Sequence, residues 1–488
     1  MIETHPDRGL AVTGGLVLVR ADGAFVARRA CDIAVSNGRI QSLHDSGTWQ
    51  IPESWERIDA SGHLVTPGFV NLHSHGTDTP YTRGVLEDAG SPSLGESPLY
   101  EHLPAVRAAI RPADELAATE LSFVERIRSG ITTSVEMTYF TEVQSRGSLD
   151  VVEEIVKTAR SRGWRMIIAP RYKSADWVTD GRSLDYRWYS DEGFTRFSEC
   201  LDFLDSLNTG ENDLVQPMLA PAQIDTCTER LLQTTTEEAR RRGWKVQLHA
   251  GQSEKEFFSM LERNGKTPLE WLDHIGCLTP DMILGHGVHL SHHSRVQHDD
   301  GSDLGRIGAA GAAVAHCPVV NGRKGRLLES LPRYLDAGIR VGLGTDTYPQ
   351  DMLNEMRIAA MFGKAASQTS RRPTAADVLS AATWAGADIL GRPDLGRIEE
   401  GCRADLVLWK LSAAANVPTR DVVKSLVYSQ PHASADTVLI DGRAVLRNGR
   451  MAGVDEDALA ARIQELAEGV WARMGELGRL APLEAEVV

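Results

Sequence analysis

The 488-residue sequence lacks several features, and each absence narrows the reading. No apolar run approaches the roughly 18 residues of a spanning helix, so no membrane partner is expected. The first residues, MIETHPDRGLAV, contain no basic stretch followed by an apolar core, so no secretory leader is expected. The six cysteines (Cys31, Cys200, Cys227, Cys277, Cys317, Cys402) are far apart and form no CxxC pair. That spacing speaks against a disulfide framework or zinc knuckle and fits a reducing cytoplasm. There is no basic run, and the net charge is −15 with pI near 5.5. Nucleic-acid binding is disfavoured, because phosphate neutralisation needs clustered Lys and Arg. No GxGxxG or GxxxxGK[ST] follows an early strand, so a nucleotide-binding open sheet has little support. Low-complexity tracts and solenoid repeats are also missing.

What remains is ordinary globular composition, 42% apolar and 24% charged. The length predicts one large domain with a smaller companion. Through the middle, amphipathic stretches end in Gly and an apolar run follows at once, as in TARSRG163 before WRMIIAP and EARRRG243 before WKVQLHA. A Gly just past a helix supplies a left-handed cap, and the run after it reads as a buried strand. Eight strands are predicted, ending at His75, Phe140, Lys173, Gln223, Gln252, His289, Val320 and Tyr348. Alternating helix and strand implies parallel pairing, and eight units imply an α/β fold of the (β/α)8 TIM-barrel type with chemistry at the C-terminal strand ends.

The flanks carry short alternating runs and the hairpin dipeptides Asn37-Gly38, Asp441-Gly442 and Asn448-Gly449. They are expected to pair into one small β-sandwich domain built from both chain ends. The expected division is 1–64 and 393–452 for that domain, 65–392 for the barrel, and 453–488 for a closing amphipathic helix.

The strongest local signal is PGFVNLHSH, with His73 and His75 two residues apart. Alternate side chains share one face of a strand, so both imidazoles can reach one ion. His249 in KVQLHA, His286 in MILGH and Asp346 in VGLGTD each follow an apolar run where an unpaired polar group is costly. A satisfied core histidine is the plainer reading of any one of them. Together, imidazoles and a carboxylate at strands one, five, six and eight suit a divalent ion such as Zn, Fe, Co or Mn.

These motifs, with LHAGQ, LGHGVH, HCPVVN, GLGTDTYPQDM and GRIEEGCRADLVLW, resemble the amidohydrolase superfamily. The nearest branch includes the cytosine, guanine and S-adenosylhomocysteine deaminases and the triazine and chlorohydrolase enzymes. The resemblance implies that His73, His75, His249 and Asp346 hold one divalent metal per subunit, zinc foremost. It implies that His286 steers water or the substrate oxygen, and that Asp346 also accepts a proton. Metal-bound hydroxide would then attack an electrophilic carbon. Strand four has no Lys to bridge a second ion, and Lys173 is read as a rim residue.

One departure matters. The deaminases of this branch place a Glu three residues after the strand-five His, where this chain has Gln252. An amide cannot shuttle a proton near neutral pH, although it can hydrogen-bond a substrate. Glu256 matches a second acidic position, with a solvated helix start as the alternative for it and Glu254. The expected activity is hydrolysis of a non-peptide C–N bond of amide, urea or carbamate type. The runner-up is deamination or dechlorination of an N-heterocycle.

The substrate-side candidates are Arg171, Trp177, Gln223 and His316, with Gln252 as a catalytic candidate. Trp177 opens an aromatic segment with Tyr186, Trp188, Tyr189 and Phe194, read either as a lid or as a local mini-core. Asp78, Tyr81 and Arg83 follow strand one, and Glu136 and Gln223 are expected to face the mouth. His289, His292, His293 and His298 form a second His-rich patch, with a solvated loop as its plain reading. A small-molecule substrate and a homo-oligomer, dimer or larger, are the expected partners.

Overall fold

The computed structural model describes residues 9–88, 91–95, 98–138, 149–207, 210, 213–298 and 302–476. The first eight residues, Tyr139 and Phe140 at the end of the second predicted strand, and residues after 476 lie outside them. The central strands are β1 (Phe69–Asn71), β2 (Ile131–Thr138), β3 (Arg165–Tyr172) and β4, in two pieces (Val215–Pro217 and Ala220–Pro221). They continue with β5 (Val246–Ala250), β6 (Met282–His286), β7 (Ala313–His316) and β8 (Arg340–Leu343). All eight predicted strands are present, and several end sooner than the sequence suggested. β6 stops at His286, three residues before His289, and β7 stops where Pro318 opens a short helix. β4 is interrupted at Met218 and Leu219, where the Met218 N–H still donates to Ile168 O at 3.0 Å on the β3 side and the Leu219 N–H turns to Lys245 O at 3.1 Å on the β5 side.

β1 to β4 pair in parallel in one sheet and β5 to β8 in another. Isolated parallel bridges join both seams: Leu219 with Val246, Gln223 with His249, and Ser74 with Asp346. Backbone bonds from Leu72 N–H to Leu343 O (2.9 Å) and from Asp346 N–H to His73 O (2.8 Å) stitch β1 to β8. Side chains alternate between two cores. On β3, Met166 and Ile168 join the outer core shared with the helices, while Ile167 and Ala169 join the inner one. Arg171 continues the inner series at the C-terminal strand end. Helices Asp150–Arg162 and Glu229–Arg242 end on Gly163 and Gly243 at φ +76° and +70°, as their sequence pattern requires.

Both flanks enter one nine-stranded sheet with its own apolar core, including Val17, Ile33, Ile40, Leu406 and Leu439. The C-terminal strand Leu406–Lys410 pairs antiparallel with the N-terminal strand His63–Pro67. The three hairpin dipeptides all adopt left-handed φ, between +50° and +73°. The chain leaves this sheet and enters the central one at Gly68, where a Cβ would fall 2.1 Å from Thr132 Oγ1. Helix Glu456–Glu476 packs back on the centre, and its Trp471 indole N–H donates to Tyr81 O at 2.9 Å.

Candidate active site

At the C-terminal strand ends, His73, His75, His249, His286 and Asp346 converge, each no more than 4% exposed. Their donor atoms form two overlapping triplets, His73/His249/His286 and His73/His75/Asp346, each within 4.8 Å. Three of the rings are held from behind. His73 Nδ1 faces Gln247 Oε1 at 3.0 Å, and the Gln247 amide is oriented because its Nε2 donates to Leu72 O at 2.6 Å. His75 Nδ1 faces Met137 O at 3.0 Å, and His249 Nδ1 faces Ala222 O at 2.6 Å. Each Nδ1 therefore carries the proton, and each Nε2 presents a lone pair to the centre.

Two of those lone pairs, on His75 and His249, lie 3.2 Å apart. Burial, followed by the neighbouring imidazoles, holds both rings well below the ordinary histidine pKa, so no proton separates them near neutrality. Asp346 Oδ1 is 3.4 Å from His75 Nε2 and 3.6 Å from His73 Nε2. Burial opposes its ionisation, but the surrounding imidazoles of His73, His286 and His75 outweigh it and hold it well below the usual carboxylate range. Converging lone pairs beside a carboxylate repel one another unless a cation sits among them. The donor set therefore fits a divalent metal.

His286 completes the cup. Burial pushes its pKa down to about 3, so the ring is neutral at pH 7. Neither of its ring nitrogens has a hydrogen-bond partner among the described residues. His286 and Asp346 adopt φ of +78° and +54°, a left-handed backbone rarely tolerated outside Gly and tolerated here under the constraint of the packed site. The Asp346 loop is braced by Thr345 N–H donating to Asn71 Oδ1 (3.0 Å) and Thr345 Oγ1 donating to Gln350 Oε1 (2.6 Å). Arg126 extends that brace, donating to Gln350 Oε1 (2.9 Å) and Glu136 Oε2 (2.6 Å).

A pocket opens above the cup, lined by His75, Asp78, Gln223, His249, Gln252 and Asp346. Gln252 is 6% exposed, and its side-chain oxygen has no protein partner among the described residues. Arg171 is buried at the end of β3. His316, pushed down to about 3 by burial, faces a separate niche shared with Asn321 and Arg326. Trp177 lies on a hairpin (Ala175–Thr179 with Leu184–Trp188) and packs against Tyr100, 4.9 Å between ring centres. Its indole N–H and the Tyr186 hydroxyl both donate to Asp225 Oδ2, at 2.8 and 2.9 Å. Lys173, the residue after β3, pairs with Asp176 at 2.9 Å.

Three expectations change. Glu256 is not solvated: it is 2% exposed and accepts the Gly251 and Gln252 N–H groups at 2.6 and 3.1 Å. Glu254 stays partly open and pairs with Arg295 at 2.8 Å. Glu136 is fully buried and committed to Arg126 and the Gly76 N–H (2.5 Å) rather than to the mouth. The second histidine patch is not a solvated loop, since His289 and His293 are at most 1% exposed, and no metal-binding triplet forms there among the described residues. Sequence reasoning passed over Gln247, Asn71 and Gln350, and three pocket cations, Arg107, Arg323 and Lys324. The signal for the first two was present, as polar residues inside the apolar strands KVQLHA and FVNLHSH.

Residues 64–445 match the family model described as the amidohydrolase family. The chain belongs to the amidohydrolase family. A 5-methylthioadenosine/S-adenosylhomocysteine deaminase of Haloarcula marismortui is 33% identical over 473 residues, covering 96% of this chain and 99% of that protein. A 5'-deoxyadenosine deaminase of Methanosarcina mazei is 28% identical, covering 86% and 89%. Among solved structures, an adenosine deaminase from Xanthomonas campestris with bound zinc superposes with TM-score 0.81 at 25% identity, covering 94% of this chain and 98% of that one. An atrazine chlorohydrolase from Arthrobacter aurescens, complexed with zinc and atraton, gives the same TM-score at 22% identity, covering 94% and 100%, a likeness of fold alone. This family member is a hydrolase of carbon–nitrogen bonds other than peptide bonds, on an α/β framework of TIM-barrel type.

Proposed function

We propose that this chain is a mononuclear, divalent-metal aminohydrolase acting on an N-heterocycle. The observation that carries the reading is the convergence of three Nδ1-protonated imidazoles and Asp346 below a pocket that holds Gln252. His73, His75, His249 and Asp346 would hold the ion, with zinc the leading choice because solved neighbours contain it. Such an ion lowers the pKa of water and so supplies a nucleophile at neutral pH. Asp346, ionised beside the imidazoles, accepts the proton released by the attacking water. His286, neutral and unpartnered, donates to the oxygen on which charge develops. Gln252 positions the ring, with Gln223 beside it in the same pocket. No Lys from β4 reaches the cup, which supports one ion over two.

A second reading has its own support. Gln252 cannot carry a proton to a ring nitrogen, whereas cleavage of an amide, urea or carbamate asks less of that position. Mass-spectrometric product identification from metal-loaded enzyme, offered aminated heterocycles, ureas, carbamates and amides, tests the choice. The expected result is ammonia release from a ring, raised in the Gln252→Glu variant. Release of an organic amine from an acyclic substrate, untouched by Gln252→Glu and Gln252→Ala, would favour the second reading.

The finer architecture belongs to the same proposal: a closed (β/α)8 barrel over residues 65–392, a small β-sandwich from 1–64 and 393–452, and a terminal helical segment from 453. No described helix is long and apolar enough to cross a membrane. A cytoplasmic homo-oligomer is the accompanying proposal, checked by fractionation and by light scattering.

A further inference from the structure

Asp78 follows His75 by three residues and occupies the position preceding the short turn Thr79–Thr82. An Asp there ordinarily accepts a backbone N–H of the turn, but this side chain makes no such bond. It is nevertheless buried, with 4% of its side chain exposed. Its Oδ2 has no hydrogen-bond partner among the described residues, and the Arg107 Nε beside it lies at 3.7 Å, beyond hydrogen-bond reach. Arg107 and Arg171 act on this carboxyl from the positive side, and Asp346, Glu136 and Glu115 from the negative. Burial dominates and pushes its pKa up to about 6, so it is ionised at pH 8.

Arg107 pairs with the charge but gives Oδ2 no hydrogen bond, and a buried acceptor left in that state is costly, which leaves room for a donor from a ligand. The pocket it lines says which. Asp78 shares that pocket with His75, His249, Asp346 and Gln252, and the Gln252 side-chain oxygen is a second acceptor without a partner. Arg107, Arg323 and Lys324 line another part of this pocket, whereas on the loops after β1 and β5 the ligand meets the two acceptors, which call for donors on that edge. We propose that Asp78 is a substrate-recognising carboxylate, selecting heterocycles that present an amino or ring N–H edge over rings that present oxo groups. This rests on the heterocycle reading above and narrows it to amidine-type, amino-substituted rings. Asp78 is a specificity residue that accepts hydrogen bonds and takes no part in attack on carbon.

The test is equilibrium binding to the full-length, metal-loaded protein at pH 8, by calorimetry, with 2,4-diaminopyrimidine and uracil as matched probes. Mass spectrometry checks that the rings remain intact, and any turnover is read as KM under the same comparison. Wild type should prefer the diamino ring by at least about tenfold, the scale of one hydrogen bond to a charged group. Asp78→Asn, which offers a donor where the carboxylate accepted, should abolish or reverse that preference, and Asp78→Ala should abolish it without reversal. Thermal unfolding of each variant separates lost selectivity from lost fold. Equal affinities in wild type, binding of neither probe, or equal weakening of both probes in Asp78→Asn (the mark of a structural anchor for Arg107) would overturn the inference. Heterocycle hydrolysis without amino preference would sink the Asp78 assignment alone. Amino preference in a protein that hydrolyses no heterocycle would sink the functional reading alone.

Discussion

The floor of the cup and the aromatic hairpin above it are built from equally conspicuous residues and put them to opposite uses. Around the hairpin, three aromatic polar tips are committed to neighbours: Trp177 and Tyr186 to Asp225, and the Tyr189 hydroxyl to Asp176 at 2.6 Å. On the floor, the Nδ1 atoms of His73, His75 and His249 are each committed to a support, while their Nε2 atoms and Asp346 turn inward towards one another. Polar groups that satisfy one another build scaffold. Polar groups held rigid with their lone pairs turned on one another mark where a ligand belongs.

The sharpest way to break this contrast is His249→Ala. Bound metal should fall from about one ion per chain to below about 0.2 by elemental analysis, with loss of C–N hydrolysis, because a donor at the centre is gone. A fully metallated, active His249→Ala enzyme would refute the floor as described. Gln247→Ala comes next: it leaves every donor in place but frees the His73 ring, and should weaken metal affinity by about 10- to 100-fold in a chelator competition.

Glu115 sharpens the contrast through pH. Burial, with Asp78 and Asp114 nearby, raises its pKa from 4.5 to about 8. The folded state favours the neutral acid, so this contribution is full below pH 4.5 and is lost as pH rises towards about 8. Glu115→Gln should flatten that fall and stabilise the protein above pH 8, by at most about 5 kcal/mol, read from urea unfolding at several pH values. A variant with an unchanged pH profile would contradict it. The smallest effect is expected on the hairpin. Trp177→Phe keeps the stacking on Tyr100 and removes one hydrogen bond, costing about 1 kcal/mol of stability with little change in kcat/KM. A large loss of kcat/KM with unchanged stability would move Trp177 from scaffold to substrate contact.

Much of this was legible in the chain. The eight strands announced themselves as apolar runs after Gly-capped helices, and the central residues as polar groups terminating those runs. The three Asn-Gly and Asp-Gly dipeptides located their hairpins because few other pairs accept two successive left-handed residues. Glu256 misled, since an acidic residue in a helix's first turn is usually solvated, and only the fold of the β5 loop turns it inward onto two backbone N–H groups. The aromatic segment was ambiguous for the same reason: composition reveals ring content but not whether each polar tip finds a local partner.

The amino-acid order by itself determined the alternation of helix and strand, the return of both flanks to one β sheet, and the identity of the residues able to bind an ion. Those properties follow from local periodicity, capping and donor chemistry. Tertiary structure alone decided which ring nitrogens carry protons, which carboxylates are satisfied, and that Asp78 and Gln252 border the same pocket. The ring orientations depend on partners from other strands, 174 positions away for His73, 62 for His75 and 27 for His249, and no local pattern encodes a contact made only when separate strands meet.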